Sequence, residues 1–251
     1  MLHYEKNTLA TVVFRVDFAE QINTDNEKIR EKCQVDFPFI QSENVSEQTI
    51  NTTIDEKGEA NVERQINKYI NVTYSNRQMN RKVVISPKFF TIELQDYISY
   101  EDTKSKYMSI FSIIREENPN VIIKRIGMRY INQIDLSVIK KSARDKYVRA
   151  SLLNNPLENN IEGAKLSRTQ NLMEIMIDDF RVRCVTGYFN PDFPAEIKRY
   201  VATLDYDAYI HGNADVTEVG QYLDKFHDAI QSLFEGSILT KQKECMGIIN
   251  E

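Results

Sequence analysis

From Leu9 to Phe18 the chain reads LATVVFRVDF, with Ala10, Val12, Phe14, Val16 and Phe18 at every second position. Side chains along a strand point alternately to opposite faces, so this period predicts a β-strand with one buried face. The pattern returns at 121–136 and at 198–210, where Tyr200, Ala202, Leu204, Tyr206, Ala208 and Ile210 share a face. Strands are also predicted at 168–178 and 180–190, joined at Asp178–Asp179 as a hairpin. Residues 43–94 are strand-rich as well. Two β-rich runs flank a turn at Asp55-Glu-Lys-Gly58, and a further strand, RKVVISPKFFTIEL at 81–94, contains Pro87. Proline cannot donate to a ladder, which places that strand at an edge or a bulge.

Helical spacing is clear in three stretches. Thr24 and Glu27 have the spacing of a capping box, opening a short helix to about Cys33 that Pro38 ends. Tyr107, Ile110, Phe111 and Ile114 make the apolar stripe of a helix over 100–116, with Ser99 as its cap and Asn118-Pro119 as its stop. Asp215 caps the last helix, along which Val216, Val219, Leu223, Phe226, Ile230 and Leu233 recur. Runs of strands followed by single helices predict an α+β fold, antiparallel sheets with helices packed on one face. The expected layout is two β-β-β-α-like halves, an N-terminal one at 1–136 and a C-terminal one at 166–251. A polar, basic connector at 137–165, broken by Asn154-Asn-Pro156 and Gly163, joins them.

A chain of 251 residues with 41% apolar and 27% charged residues can bury a sizeable core and is too apolar for disorder. No stretch approaches the roughly 18 consecutive apolar residues of a membrane span, and the opening MLHYEKNTLA lacks the apolar core of a secretory signal. Cys33, Cys184 and Cys245 are odd in number and far apart, as expected of reduced thiols. These features predict a cytoplasmic protein without a membrane partner.

Sequence patterns for chemistry are sparse. His3, His211 and His227 form no i,i+4 pair and no two cysteines lie close, so no metal site is expected; His227 is expected to face solvent or to be hydrogen-bonded. There is no P-loop, no G-x-G-x-x-G and no G-x-S-x-G, and no cofactor is expected. Asp205 and Asp207 share a strand face about 7 Å apart, suited either to a cation or acid–base work or to the wet side of a half-buried strand.

One segment stands apart, KRIGMRYINQ at 124–133. Alternation puts Ile122, Ile126, Met128, Tyr130, Ile134 and Leu136 on one face, interrupted by Lys124 and Asn132. Arg125, Gly127, Arg129, Ile131 and Gln133 fall on the other. Two guanidinium groups whose Cα atoms are about 13 Å apart flank a position without a side chain. They can clasp a carboxylate or phosphate across Gly127, or pair with acids such as Asp17, Asp205 or Asp207 on neighbouring strands. Beyond them, Lys140, Lys141, Arg144, Lys146 and Arg149 form a basic patch that is either a solvated face or an extension of a surface for nucleic acid or an acidic partner. The net charge of −5 argues against non-specific DNA binding.

VVFRVDF, VISPKFFTIEL running towards SYEDTKSKYMSIFSII, KRIGMRYINQIDL, TLDYDAYI and FHDAIQSLFEGSI resemble, in this order, a sporadically distributed bacterial family of uncharacterised proteins. That family's R-x-G-x-R-Y-x-N strand motif is matched here by Arg125, Gly127, Arg129, Tyr130 and Asn132, and its terminal Phe-Glu pair by Phe234-Glu235. The resemblance carries no catalytic residue. It implies horizontally moved genes of the kind found with mobile elements or antiviral defence.

The leading expectation is a non-catalytic cytoplasmic binding or interaction protein, acting with a protein partner or as a homo-oligomer in such a system. Arg125, Gly127, Arg129, Tyr130 and Asn132 are its candidate ligand- or partner-binding residues. One alternative is a nucleic-acid-binding protein or metal-independent endoribonuclease using residues 124–149. Another is a receptor for a small phosphorylated ligand held by Arg125 and Arg129.

Overall fold

The computed structural model describes residues 3–54, 60–153 and 162–249. Its centre is one antiparallel nine-stranded sheet in the order β3-β4-β5-β6-β2-β7-β10-β9-β8. The strands are β2 (Leu9–Phe18), β3 (Phe39–Ile54), β4 (Ala60–Ser75), β5 (Arg81–Ile85), β6 (Phe89–Leu94), β7 (Ile123–Asp135), β8 (Thr169–Ile177), β9 (Phe180–Phe189) and β10 (Val201–Ala214). A two-stranded ribbon pairs β1 (His3–Tyr4) with β11 (Ile248–Ile249). The expected α+β class is borne out. Strands from both sides of the 137–165 stretch enter one sheet, and β7 pairs directly with β10.

The alternation in LATVVFRVDF appears as the expected burial. Val12, Phe14 and Val16 are fully buried, while Arg15 and Asp17 are part-exposed on the other side. Against the buried side lie α2 (Tyr100–Glu117) and α4 (Val219–Ser237). Tyr107 of α2 sits 5.7 Å from the Phe14 ring and 4.6 Å from Phe90, and Phe226 of α4 sits 5.1 Å from Phe180. α1 (Glu27–Asp36) adds Ile29 and Cys33 to the same core. Ser99 caps α2 through Asp102 N, as expected, and the expected cap Asp215 makes in addition a capping box with Glu218 at the entry to α4.

Local corrections come from backbone hydrogen bonding. The stretch 81–94 is two strands, because the turn around Pro87 closes a hairpin: Ser86 N donates to Phe89 O, and Ser86 Oγ accepts from Lys88 N. The cap of α1 is Asn26, which accepts from Lys28 N and Ile29 N, so the Thr24–Glu27 box does not form. Between β8 and β9, Asp178 takes φ 49°, as a two-residue hairpin turn requires. The predicted turn at 55–58 and the breaker Asn154-Asn-Pro156 lie outside the described residues.

Candidate functional site

β7 lies next to the middle of the sheet, so its two faces look onto different surroundings. On the helix-free face, Gly127 stands in register between Arg15 on β2 and Tyr209 on β10. The Arg125 guanidinium lies across it; a Cβ placed on Gly127 would fall 2.5 Å from Arg125 Nη1. From there Arg125 Nη2 donates to both Asp207 oxygens at 3.2 and 3.3 Å, Nη1 stands 3.7 Å from Asp17 Oδ2, and Tyr209 offers its ring at 5.3 Å. Arg129 forks onto Asp205, Nε at 2.8 Å and Nη2 at 2.6 Å. That planar two-point geometry suits guanidinium and not ammonium. The glycine is therefore the space that lets an arginine lie flat between two carboxylates.

Arg125, Arg129, Asp17 and Asp207 line a cleft of about 780 Å³ whose walls come from six strands, β3, β4, β6, β2, β7 and β10. Glu47 and Tyr69 reach it from the long β3–β4 hairpin, where Lys88 pairs with Glu47 and lies 5.2 Å from the Tyr69 ring. Arg15 pairs with Asp17 and stacks 4.1 Å over Phe89. Burial pushes the Asp207 carboxyl above its usual range, against the pull of Arg125 and Arg129. The Asp205 fork raises the Arg129 guanidinium further above its already high value. Lys124 also lines the cleft, and Arg183 lines a contiguous recess of about 360 Å³ with Arg125, Asp207 and His211. Among the described residues, neither Lys124 nor Arg183 takes part in an ion pair.

No model of a known protein family matches the chain, and no curated protein is significantly similar to it.

Tyr130 and Asn132 point the other way, towards α4. Both are nearly fully buried, and both line a smaller cavity of about 200 Å³ between the sheet and the helices. There the Tyr130 hydroxyl is 3.1 Å from His227 Nδ1 and 3.4 Å from the Tyr97 hydroxyl, and Thr8 Oγ1 donates to Asn132 Oδ1. His227 is thus hydrogen-bonded, one of the two states expected of it. What the sequence conceals is that it meets Tyr130 across 97 positions.

The basic patch is elsewhere again. Lys141–Lys146 forms a 3-10 turn, followed by α3 (Ala150–Leu153). Arg144 stacks 3.8 Å over Tyr200 and donates to Ile139 O, Arg149 donates to Gly236 O, and Val148 bridges to Ile238 beyond the end of α4. None of Lys140, Lys141, Arg144, Lys146 and Arg149 lines the large cleft. Among the described residues no group of three His, Cys, Asp or Glu side chains could hold a metal ion, and no helix is long and apolar enough to cross a membrane.

Proposed function

We propose that the chain is a non-catalytic binding protein that receives a protein partner in the cleft on its helix-free sheet face. One observation carries this reading. Arg15, Lys88, Lys124, Arg125 and Arg129 line that cleft together with Asp17, Glu47, Glu93 and Asp207, so five cations face four carboxylates. A polyanion entering it would meet a carboxylate paired with every arginine, whereas a polypeptide segment with charges of both signs finds complements throughout. The separation of the 140–149 cations from this surface further weakens the nucleic-acid reading.

In this reading the protein acts in the cytoplasm, as a member of a bacterial complex of the mobile-element or antiviral-defence kind that its sequence resemblance implies. Its two β-β-β-α-like halves are β4-β5-β6-α2 and β8-β9-β10-α4. What supports that division is strand order, since β4-β5-β6 stand beside β2 and β10-β9-β8 beside β7, with β3 added at the outer edge of the first set. A second reading, a receptor for a small phosphorylated ligand, is favoured by Arg183, Lys124 and His211 standing near Arg125 on the cleft wall.

The test is affinity capture from the source cells with the parent chain and with a Lys124→Glu/Arg183→Glu variant. Both residues are without ion pairs among the described residues, so the fold should tolerate reversal. A partner that the parent captures and the variant loses supports the proposal. Equal capture by both, or no partner, overturns it. Stabilisation by inorganic phosphate that disappears in the variant would favour the second reading, and nucleic acid lost only after Lys140→Ala/Lys141→Ala/Arg144→Ala would favour the third.

A further inference from the structure

The cavity on the helix side of β7 has a chemistry unlike the cleft's. Its walls include Tyr4, Tyr97, Tyr100, Tyr130, Phe234 and His227. Two of the rings form a corner, backed by a stacked pair. Tyr97 and Tyr130 are 5.7 Å apart and inclined at 58°, and Tyr130 and His227 are 6.0 Å apart at 62°. His227 in turn lies parallel to Tyr100 at 4.0 Å and covers one face of that ring, and Lys104 Nζ stands 5.7 Å from the Tyr100 centroid, so Tyr100 serves as backing and not as a ligand wall. The polar ends of these rings are committed to one another or to the periphery: Tyr97 to Tyr130, Tyr130 to His227, Tyr100 to Asp224 at 2.6 Å and Tyr4 to Glu235 at 2.9 Å. Hydrogen bonds thus hold the rings in place, and the lining left to a ligand combines ring and aliphatic surface with the polar side chains of Asn7, Thr8, Asn132 and Gln231.

Charge narrows the choice. Glu101 contributes a carboxylate to the lining, and no lysine or arginine lines the cavity. Burial keeps the His227 imidazole below its usual range, so it adds no positive charge near neutral pH. An anionic ligand would meet Glu101 and the negative faces of the rings. A cation would meet attraction from both. At about 200 Å³ the cavity is smaller than the roughly 300–1,000 Å³ of sites for drug-sized ligands, which limits the occupant to a small head group.

We propose that this cavity binds a small organic cation, a substituted ammonium group seated in the corner of Tyr97 and Tyr130 with Glu101 at its exposed side. The site is independent of the partner cleft, which opens on the opposite face of the same strand.

Calorimetric titration of the full chain with choline and with tetramethylammonium tests it, using the uncharged choline isostere 3,3-dimethylbutan-1-ol as control. Saturable binding of the cations is expected, with choline at least about tenfold tighter than the isostere, since desolvated cation–π contacts are strong. Glu101→Gln, at an exposed position, should weaken choline roughly threefold. Tyr97→Leu, at a half-buried position, should abolish saturation. Lys124→Glu/Arg183→Glu should leave binding unchanged, so failure here and failure of the partner reading are separately visible. No saturable binding of either cation, equal affinity for the isostere, or full binding by Tyr97→Leu would each overturn the proposal.

Discussion

On the cleft side of β7 both arginines are answered by carboxylates on neighbouring strands, whereas on the helix side Tyr130 and Asn132 are answered by hydroxyls and an imidazole. The contrast follows from what each side faces. A sheet surface left without helices stays in contact with water, so charges are affordable there if paired, and the pairs lock three strands in register. A surface covered by α2 and α4 excludes water, so neutral groups with committed hydrogen bonds are favoured there. The R-x-G-x-R-Y-x-N segment therefore combines two requirements, a salt-bridge array and an aromatic cavity, in one strand.

The comparison breaks most sharply at Arg129. Its Asp205 partner keeps only 11% of its side chain exposed, so Arg129→Ala would strand a carboxylate with little water to replace the fork. Losing one member of such a pair costs about 2–3 kcal/mol, below the full penalty of a deeply buried pair because Arg129 itself is half in solvent. Chemical denaturation measures this. Arg129→Lys should recover part of the loss and not all of it, since ammonium cannot fork.

Gly127 comes next. An added methyl would displace the Arg125 guanidinium without touching backbone, so Gly127→Ala acts by separating Arg125 from Asp17 and Asp207. A loss of about 1–2 kcal/mol is expected. It should nearly vanish in an Arg125→Ala background, where nothing remains to displace, and a double-mutant cycle reads that non-additivity directly. Additive effects would mean that the glycine serves the backbone instead.

These two effects separate what was legible in the sequence from what was not. Period-two alternation in LATVVFRVDF and KRIGMRYINQ assigns each residue to a face, and face assignment alone nominates Asp17, Asp205 and Asp207 as partners for the arginines. Register is not in the pattern, and register decides that Arg125 leans past Gly127 to Asp207 while Arg129 takes Asp205. The hairpin at Ser86–Lys88 was hidden because apolar residues continue through Pro87, so that hydropathy reads one strand where the backbone makes two. The aromatic cavity was hidden for a different reason. Its members come from five separate segments, and only the seating of α4 across β7 brings His227 to Tyr130. Sequence spacing carries information within an element and very little about which elements meet.

On the helix side the first probe is pH. Burial favours the neutral His227 imidazole, opposed by Asp228, Glu101 and Asp224, and the net direction is downward from 6.5. A folded value below the unfolded one means that the unfolded chain binds the extra proton first. Stability therefore falls as pH drops from about 6.5 towards the folded value. His227→Gln should flatten the stability profile between about pH 7 and pH 5. The cleft contributes the opposite slope, because the raised Asp207 carboxyl takes up its proton more readily when folded, so its influence favours the fold as pH falls. A His227→Gln profile that keeps the parental decline would assign the acid sensitivity to other groups.

The smallest effect tests how strictly the covered face enforces hydrogen bonding. Tyr107 of α2 is fully buried between Phe14, Phe90 and Phe111, and its hydroxyl has no hydrogen-bond partner among the described residues. Burial above all, with Asp17 adding to it, drives that hydroxyl well above its ordinary value, so it stays protonated and unsatisfied. Removing an unpartnered buried hydroxyl while keeping the ring relieves a desolvation penalty and leaves the aromatic packing intact. Tyr107→Phe should accordingly raise stability by up to about 1 kcal/mol, a shift of a few degrees or less in thermal melting. The sign is the informative part, because Tyr130→Phe on the same face removes a hydroxyl that is engaged with His227 and should lower stability by a similar amount. If both substitutions moved the melting temperature in the same direction, hydrogen-bond satisfaction would not be what distinguishes the two tyrosines.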